Sequence, residues 1–156
     1  MKKQFFTVLI LLSLQTGVIA QVTLQPVLAA TGMITQNQLW NVLVVNSSNA
    51  VYNCSLKLVL SDRQTGQPVF TALTGSFTVA EGAKQLNTST LSPIQYNYIS
   101  GVVNNTIGGL IPAGRYTACY SLTSTGKGDE LAEECIQFDA EALSPPLLIF
   151  PSDSAQ

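Results

Sequence analysis

Residues 21–156 contain no long apolar i, i+3, i+4, i+7 pattern of the kind that an amphipathic helix needs. Short runs rich in β-branched and aromatic residues recur instead, and turn residues separate them. These runs are VTLQPVLAA (22–30), QLWNVLVVN (38–46), VYNCSLKLVLSD (51–62), VFTALTGSFTV (69–79), AEGAKQLN (80–87), GRYTACYSLTS (114–124) and ELAEECIQFD (130–139). The spacing predicts an all-β fold, an antiparallel β-sandwich of about 7–9 strands, with a small closed barrel as the alternative architecture.

Proline and glycine refine these strand predictions. Proline has no N–H to give to a ladder, so Pro26 places the run 22–30 at the edge of a sheet. The nearly continuous apolar run 38–46 is typical of a central strand. Gly75 interrupts the run 69–79, which predicts one bent strand or two short ones.

The first 20 residues have the three-part pattern of a secretory signal peptide. Two lysines precede an apolar run from Phe5 to Leu14, and a cleavage site lies between Ala20 and Gln21. The run is shorter than the about 20 residues that a spanning helix requires, so we expect cleavage, with an uncleaved signal anchor as the alternative. The pattern predicts an exported bacterial protein, secreted, periplasmic or on the cell surface, with no transmembrane segment after signal removal.

The expected organisation is a signal peptide at 1–20, a β-sandwich domain at 21–144 and a C-terminal tail or final strand at 145–156. Beyond residue 20 there are five basic and nine acidic side chains, a formal charge of about −4, and the basic ones form no cluster. Nucleic acid is therefore not an expected partner.

The last two runs predict a hairpin and a disulfide. If the hairpin is centred near Lys127, Cys119 lies directly opposite Cys135. Directly opposed residues of an antiparallel pair are close enough for a disulfide, and export favours its oxidation. We therefore predict the pair Cys119–Cys135.

Hydrophobic alternation supports the same register independently. It places Tyr116 opposite Phe138 on one apolar face, which should be the core face. Glu134 falls on that face too. It must therefore lie at the rim of the sheet, or the register must slip near the turn.

Cys54 alternates in phase with Leu56, Leu58 and Leu60, which predicts a core-facing small hydrophobic residue. Pairing between two molecules is the alternative for an odd cysteine in a secreted chain. A catalytic thiol is not expected, because the chain has no histidine to act as its base.

The absence of histidine also excludes Ser-His-Asp and Cys-His catalysis and removes the commonest zinc ligand. Three scattered cysteines form no metal motif, and we expect no cofactor and no metal. Four carboxylates cluster near one hairpin end, at Asp129, Glu130, Glu133 and Glu134. They are interpreted as a solvated turn, with a glycoside-hydrolase pair as the alternative.

The segment 88–114 is long for a connection in a compact domain, which is typical of a functional loop or of hidden structure. Tyr96 and Tyr98 share one face of an extended strand. If exposed, they and the nearby Asn104 and Asn105 are candidate contacts for a sugar or a protein partner. The alternative is an extra edge strand with both tyrosines packed on the sheet.

The tail contains a proline pair followed by four apolar residues, Leu147, Leu148, Ile149 and Phe150. As a last strand of the sandwich these residues would be buried. As a free segment they would be able to add to the sheet edge of another molecule.

The stretch LIPAGRYTACYSL, followed by a turn and ECIQFD, resembles the end of an immunoglobulin-like or fibronectin-type-III-like domain. Such domains often run Pro-x-Gly-x-Tyr into a late strand, then form a hairpin to the final strand. SPPLLIFPSD resembles the linker by which bacterial surface proteins of this kind pass to a further domain. The resemblance covers the last third of the chain and implies an extracellular binding or assembly module.

The first functional hypothesis is therefore a non-enzymatic secreted or cell-surface module that acts through protein–protein contact or surface assembly, including self-association through the tail. The alternative is a carbohydrate-binding module that uses Tyr96 and Tyr98. A third hypothesis, a carboxylate hydrolase, would use Glu130 and Glu133.

Overall fold

A computed structural model of the chain describes residues 21–99 and 109–142. The predicted signal peptide, the candidate contacts Asn104 and Asn105, and the apolar tail residues Leu147 to Phe150 lie outside the described residues.

Short strands dominate the described residues. The strands are β1 (Val22–Pro26), β2 (Thr31–Gly32), β3 (Val42–Asn46), β4 (Tyr52–Asp62), β5 (Pro68–Thr74), β6 (Phe77–Val79), β7 (Gly82–Leu86), β8 (Ile94–Tyr98), β9 (Gly114–Ser124) and β10 (Glu130–Ala140). Two short helices accompany them, a 3₁₀ helix (Gln36–Trp40) and a single α-helical turn, α1 (Thr88–Leu91).

These strands form two sheets. Sheet A has the order β1-β3-β7, and sheet B has the order β2-β10-β9-β4-β5-β8, with β6 paired to β4. All pairs are antiparallel except the two-residue pairing of β2 with β10. The apolar faces of the two sheets enclose one hydrophobic core, so the predicted all-β sandwich is confirmed.

Pro26 ends β1 at an edge of sheet A, as its missing N–H predicts. The chain then crosses to sheet B, where β2 pairs with the end of β10 and the Asp139 N–H donates to the Ala30 carbonyl (2.9 Å). The predicted break at Gly75 is also confirmed, because β5 and β6 are two separate strands on the same side of β4.

The predicted hairpin register is correct. Cys119 lies opposite Cys135 with their Cα atoms 4.1 Å apart, and the two form a disulfide on the outer face of sheet B. Tyr116 lies opposite Phe138, and both are buried. The bridge therefore joins two adjacent strands of one sheet and leaves the core between the sheets to side-chain packing.

Both expectations for Glu134 are met. Its side chain is exposed at the rim of the sandwich, where it lines a groove of about 410 Å³ with Ile136 and residues of β1. The register also shifts between Glu130 and Ala132, next to the turn. Such an irregularity adds one unpaired residue to β10 and lets the strand bend.

The prediction of one strand over 38–46 is wrong in its first part. Residues Gln36–Trp40 form the 3₁₀ helix, and β3 begins only at Val42. The Thr35 N–H donates to the Gln38 side chain (2.7 Å), which completes a capping box and starts the helix. Leu39 and Trp40, at the end of this helix, are both buried. Because they stand next to the apolar residues of β3, the sequence reads as one continuous apolar strand.

Candidate functional site

β8 is an edge strand of sheet B with one side unpaired in the described part of the chain. The Ile99 N–H donates to the Val69 carbonyl (3.0 Å), and the Pro93 carbonyl accepts from the Gly75 N–H (2.9 Å). Backbone groups of alternate residues point to opposite sides of an antiparallel strand. The N–H and C=O groups of Tyr96 and Tyr98 therefore point away from β5, toward the open edge.

The terminal strands β1 and β7 of sheet A and β2 of sheet B carry features that discourage pairing with another chain. β1 contains Pro26, and β2 has only two residues. In β7, Lys84 is inward-pointing and half-buried, and its Nζ donates to the Thr78 carbonyl (2.7 Å) and lies 5.9 Å from the centroid of the Phe77 ring. An inward-pointing lysine of this kind protects an edge, because a strand added beside it would bury the charge.

β8 has none of these features. Its sequence, IQYNY, contains no charged residue and no proline, and the exposed Ile99 follows it directly. An uncharged edge with free backbone groups is a template for strand addition. The edge of β8 is therefore the candidate functional site.

Two aromatic rings form the inner wall of this edge. The rings of Tyr96 and Tyr98 are stacked, with centroids 5.7 Å apart and an interplanar angle of 7°. Both rings meet the buried Phe70 edge-on, at 5.6 and 5.8 Å. Because both tyrosines are only half-buried, part of their surface remains open at the edge.

The 3₁₀ helix holds both tyrosine hydroxyls. Trp40 Nε1 donates to Tyr96 Oη (2.7 Å), and Tyr98 Oη donates to Gln36 Oε1 (2.9 Å). Trp40 is fully buried, so Tyr96 supplies the acceptor that its indole N–H requires. Burial raises the pKa of Tyr96, and the hydrogen bond from Trp40 partly offsets that rise.

The structure thus shows an extra edge strand within 88–114, with tyrosines that pack on the sheet. Sequence reasoning identified the shared face of Tyr96 and Tyr98 but missed the 3₁₀ helix that anchors them. The capping-box pattern at Thr35 and Gln38 was the available signal. A role for the tyrosines in ligand contact stays a prediction.

A shallow depression of about 460 Å³ lies beside β8 on the outer face of sheet B. Its lining includes Lys57, Thr71, Leu73, Gln95 and Asn97. Leu73 is 46% exposed on this face. A strand added to β8 would extend this face next to the depression.

A second depression, of about 390 Å³, lies at one end of sheet B, between the start of β4 and the β9–β10 turn. Val51, which is 65% exposed, lines it together with Asn53, Lys127 and Asp129.

The four clustered carboxylates, Asp129, Glu130, Glu133 and Glu134, are all exposed. Glu133 and Glu134 are consecutive in β10 and therefore point to opposite faces of the sheet. Within residues 21–99 and 109–142, no group of three or more potential metal-ligating side chains is brought together. The arrangement is typical of solvated surface charge.

Neither the models of known protein families nor the curated proteins give a match to this chain. Among the described residues, none of the helices has the length and apolar character needed to cross a membrane.

Proposed function

We propose that this chain is a non-enzymatic, exported β-sandwich module that acts through protein–protein contact, and that the free edge of β8 is its contact strand. The observation that carries the proposal is the outward direction of the Tyr96 and Tyr98 backbone groups on an uncharged edge. The signal-peptide pattern of residues 1–20 supports export.

The proposed contact is strand addition. A partner strand would exchange backbone hydrogen bonds with Tyr96 and Tyr98, each worth about 0.5–1.5 kcal/mol net. Partner side chains that point inward would cover the exposed part of the two stacked rings. β8 has no charge with which to select a charged partner, so the favoured partner is an uncharged, extended segment.

The test compares two substitutions at one position. Tyr98→Ala and Tyr98→Pro both remove the ring and the hydroxyl, but only proline also removes the outward N–H. Proline is tolerated on the free side of an edge strand, and circular dichroism checks that both variants fold. Each immobilised protein is then incubated with envelope and secreted fractions of the source bacterium.

A partner that Tyr98→Ala binds more weakly than the wild type, and that Tyr98→Pro binds several-fold more weakly than Tyr98→Ala, supports strand addition. A partner retained equally by both variants places the contact elsewhere and overturns the assignment of β8. Amide hydrogen exchange gives a second check, because the amides of Tyr96 and Tyr98 should exchange faster than those of Gln95 and Asn97.

Carbohydrate binding through Tyr96 and Tyr98 is the second candidate, favoured by the half-exposed stacked rings. A sugar stacks on the open face of an aromatic ring, and here Tyr96 and Tyr98 each already use one ring face to stack on the other. A sugar would also compete with Trp40 and Gln36 for the hydroxyls. Sugar-dependent quenching of tyrosine fluorescence that is lost in Tyr96→Ala would favour this function over strand addition.

A further inference from the structure

We infer that the strand which adds to β8 is the apolar segment Leu147–Phe150 of a second copy of this chain. This inference rests on the proposed function and names its partner. It makes the module self-assembling, with β8 as the acceptor and the segment 147–150 as the donor.

The donor fits the acceptor in chemistry and length. From Leu143 to Pro151 the sequence carries no charge, and four apolar residues stand between Pro146 and Pro151. A residue before proline is restricted to extended backbone, so the sequence favours a strand that ends at Phe150. Four residues match the short open edge of β8, which spans Ile94–Tyr98.

Alternation gives the donor apolar side chains on both faces. Leu147 and Ile149 share one face of an extended segment, and Leu148 and Phe150 share the other. Whichever face points inward can therefore cover the half-buried rings of Tyr96 and Tyr98. A donor with polar residues on one face would have only one useful register.

The positions of the strand ends favour a second copy over the chain's own segment. Ala140 pairs with Gly114 at the end of β10, and Tyr98 pairs with Phe70 at the end of β8, so both lie at the same end of sheet B. Four strand spacings separate β10 from β8. A strand beyond β8 is thus about 24 Å from β10 at about 4.8 Å per spacing.

The chain's own segment does not cover this distance. The Glu141 N–H donates to the Gly32 carbonyl (2.9 Å), so the chain is held to β2 up to Glu141. Six residues from there to Leu147 span about 20–22 Å when fully extended, which is less than the about 24 Å to the open side of β8. A second copy has no such restriction.

Donor and acceptor are different surfaces of one chain, so the contact is head-to-tail. Such contacts repeat into rings when the rotation closes and into open chains when it does not. An open chain of copies would then keep one free acceptor at one end and one free donor at the other.

The experiment uses residues 21–156 and two variants of that chain. Tyr98→Pro removes the outward N–H of the acceptor and keeps the donor, whereas the double variant Leu148→Lys/Ile149→Lys puts a charge on each face of the donor and keeps the acceptor. Tyr98→Ala, which removes the ring but keeps the N–H, is the comparison for Tyr98→Pro. Ser152→Lys/Ser154→Lys, which adds the same two charges to the tail outside segment 147–150, is the control for the donor variant. Solution mass is measured by light scattering over a hundredfold range of concentration, after circular dichroism has confirmed the fold of every variant.

The expected result is that the wild type and Ser152→Lys/Ser154→Lys increase in mass with concentration, and that Tyr98→Ala does so only at higher concentration because the donor loses the ring that it covers. Tyr98→Pro and Leu148→Lys/Ile149→Lys should each remain monomeric. Mixed in equal amounts, the two monomeric variants should form a dimer of twice the monomer mass and nothing larger, because each supplies only one intact half. Unchanged assembly in either variant, or a mixture that stays monomeric, overturns the inference.

The two proposals fail in distinguishable ways. If the wild type stays monomeric throughout, and an envelope partner binds Tyr98→Pro more weakly than Tyr98→Ala, self-assembly is overturned and β8 is left as the contact strand. If the wild type and Tyr98→Pro each assemble to the same extent, both the donor–acceptor pairing and the role of β8 in assembly are overturned.

Discussion

Tyr116 Oη donates a hydrogen bond to the Pro112 carbonyl (3.0 Å), which ties the start of β9 to the chain four residues upstream. The Tyr116 ring stacks on Phe138 with centroids 5.6 Å apart, and only 6% of the surface of Tyr116 is exposed. A tyrosine hydroxyl that bonds back to the backbone a few residues upstream is called a tyrosine corner. In this chain the Pro-x-Gly-x-Tyr pattern produces it.

Tyr116→Phe should lower the free energy of unfolding by about 1 kcal/mol, because it removes this hydrogen bond and leaves the ring in place. Urea denaturation measures the change. Tyr52→Phe is the matched control, since the Tyr52 hydroxyl donates at an exposed site to Gln21 (3.1 Å) and its loss should cost less than about 0.5 kcal/mol. Equal losses in the two variants would contradict a structural role for the corner.

Gly114→Ala should also destabilise the protein. A Cβ atom at this position would come 3.1 Å from Tyr116 Oη and 3.3 Å from two atoms of its ring, and the corner holds that ring in place. Overpacking of this kind costs about 1–3 kcal/mol. Gly126→Ala, with no atom within 4 Å of the added Cβ, should be nearly neutral in the same urea titration. If Gly114→Ala leaves the free energy of unfolding unchanged, the Tyr116 ring moves away from the added Cβ at little cost.

Tyr96→Phe should cost about 1–3 kcal/mol of stability, because the fully buried Trp40 loses the acceptor of its indole N–H. Tyr98→Phe is the control. Its partner Gln36 is only half-buried, so water can replace the lost hydroxyl and the cost should be smaller. Thermal unfolding of both variants measures the difference, and a larger effect of Tyr98→Phe would contradict this account.

Cys54 should be unreactive toward a thiol reagent in the folded protein and fully reactive after denaturation. It is a free thiol with no exposed surface, and burial raises its pKa, which lowers the thiolate fraction that reacts. Quantitative labelling should give no thiol per chain in native buffer, one in denaturant, and three after reduction. A labelled thiol in the native protein would place Cys54 at the surface and favour pairing between molecules.

Stability should fall as the pH rises above about 10. Burial raises the pKa of Tyr96, Tyr116 and Tyr120 above the ordinary tyrosine value. Below pH about 10 these phenols are protonated in both states, and above it the unfolded chain releases protons that the folded chain keeps. Unfolding then becomes more favourable with each rise in pH.

Urea titrations between pH 8 and pH 11 measure this slope, and absorbance at 295 nm follows phenolate formation. Tyr120→Phe should reduce the slope, because Tyr120, whose hydroxyl donates to the buried Leu39 carbonyl (2.7 Å), no longer titrates. An unchanged slope in that variant would show that Tyr120 does not contribute.

Sequence reasoning was most successful where neighbours along the chain decide the outcome. The β9–β10 register follows from alternation with a period of two and from a short turn, so it correctly paired Cys119 with Cys135. The inward direction of Cys54 follows from the same alternation. These features need only local geometry and the requirement that one face of each strand be apolar.

The candidate site was only half predictable. Alternation placed Tyr96 and Tyr98 on one face. Their packing, however, depends on Trp40, which lies 56 positions before Tyr96, and on Gln36, which lies 62 positions before Tyr98. The buried pair Leu39 and Trp40 was mistaken for part of a strand because burial alone does not distinguish a short helix from a central strand.

The sequence by itself determined the all-β class, the disulfide and the inward faces, because each follows from periodicity along a single strand or hairpin. Apart from β1, which Pro26 marks as an edge, only the tertiary structure decided which strands stand at the edges and which edge is unpaired among the described residues. Edge position depends on the order in which distant segments pair, and no local pattern encodes that order. Lys84 protects β7 from pairing with another chain, and β8 has no such residue. This difference matters only because both strands stand at the edge of a sheet.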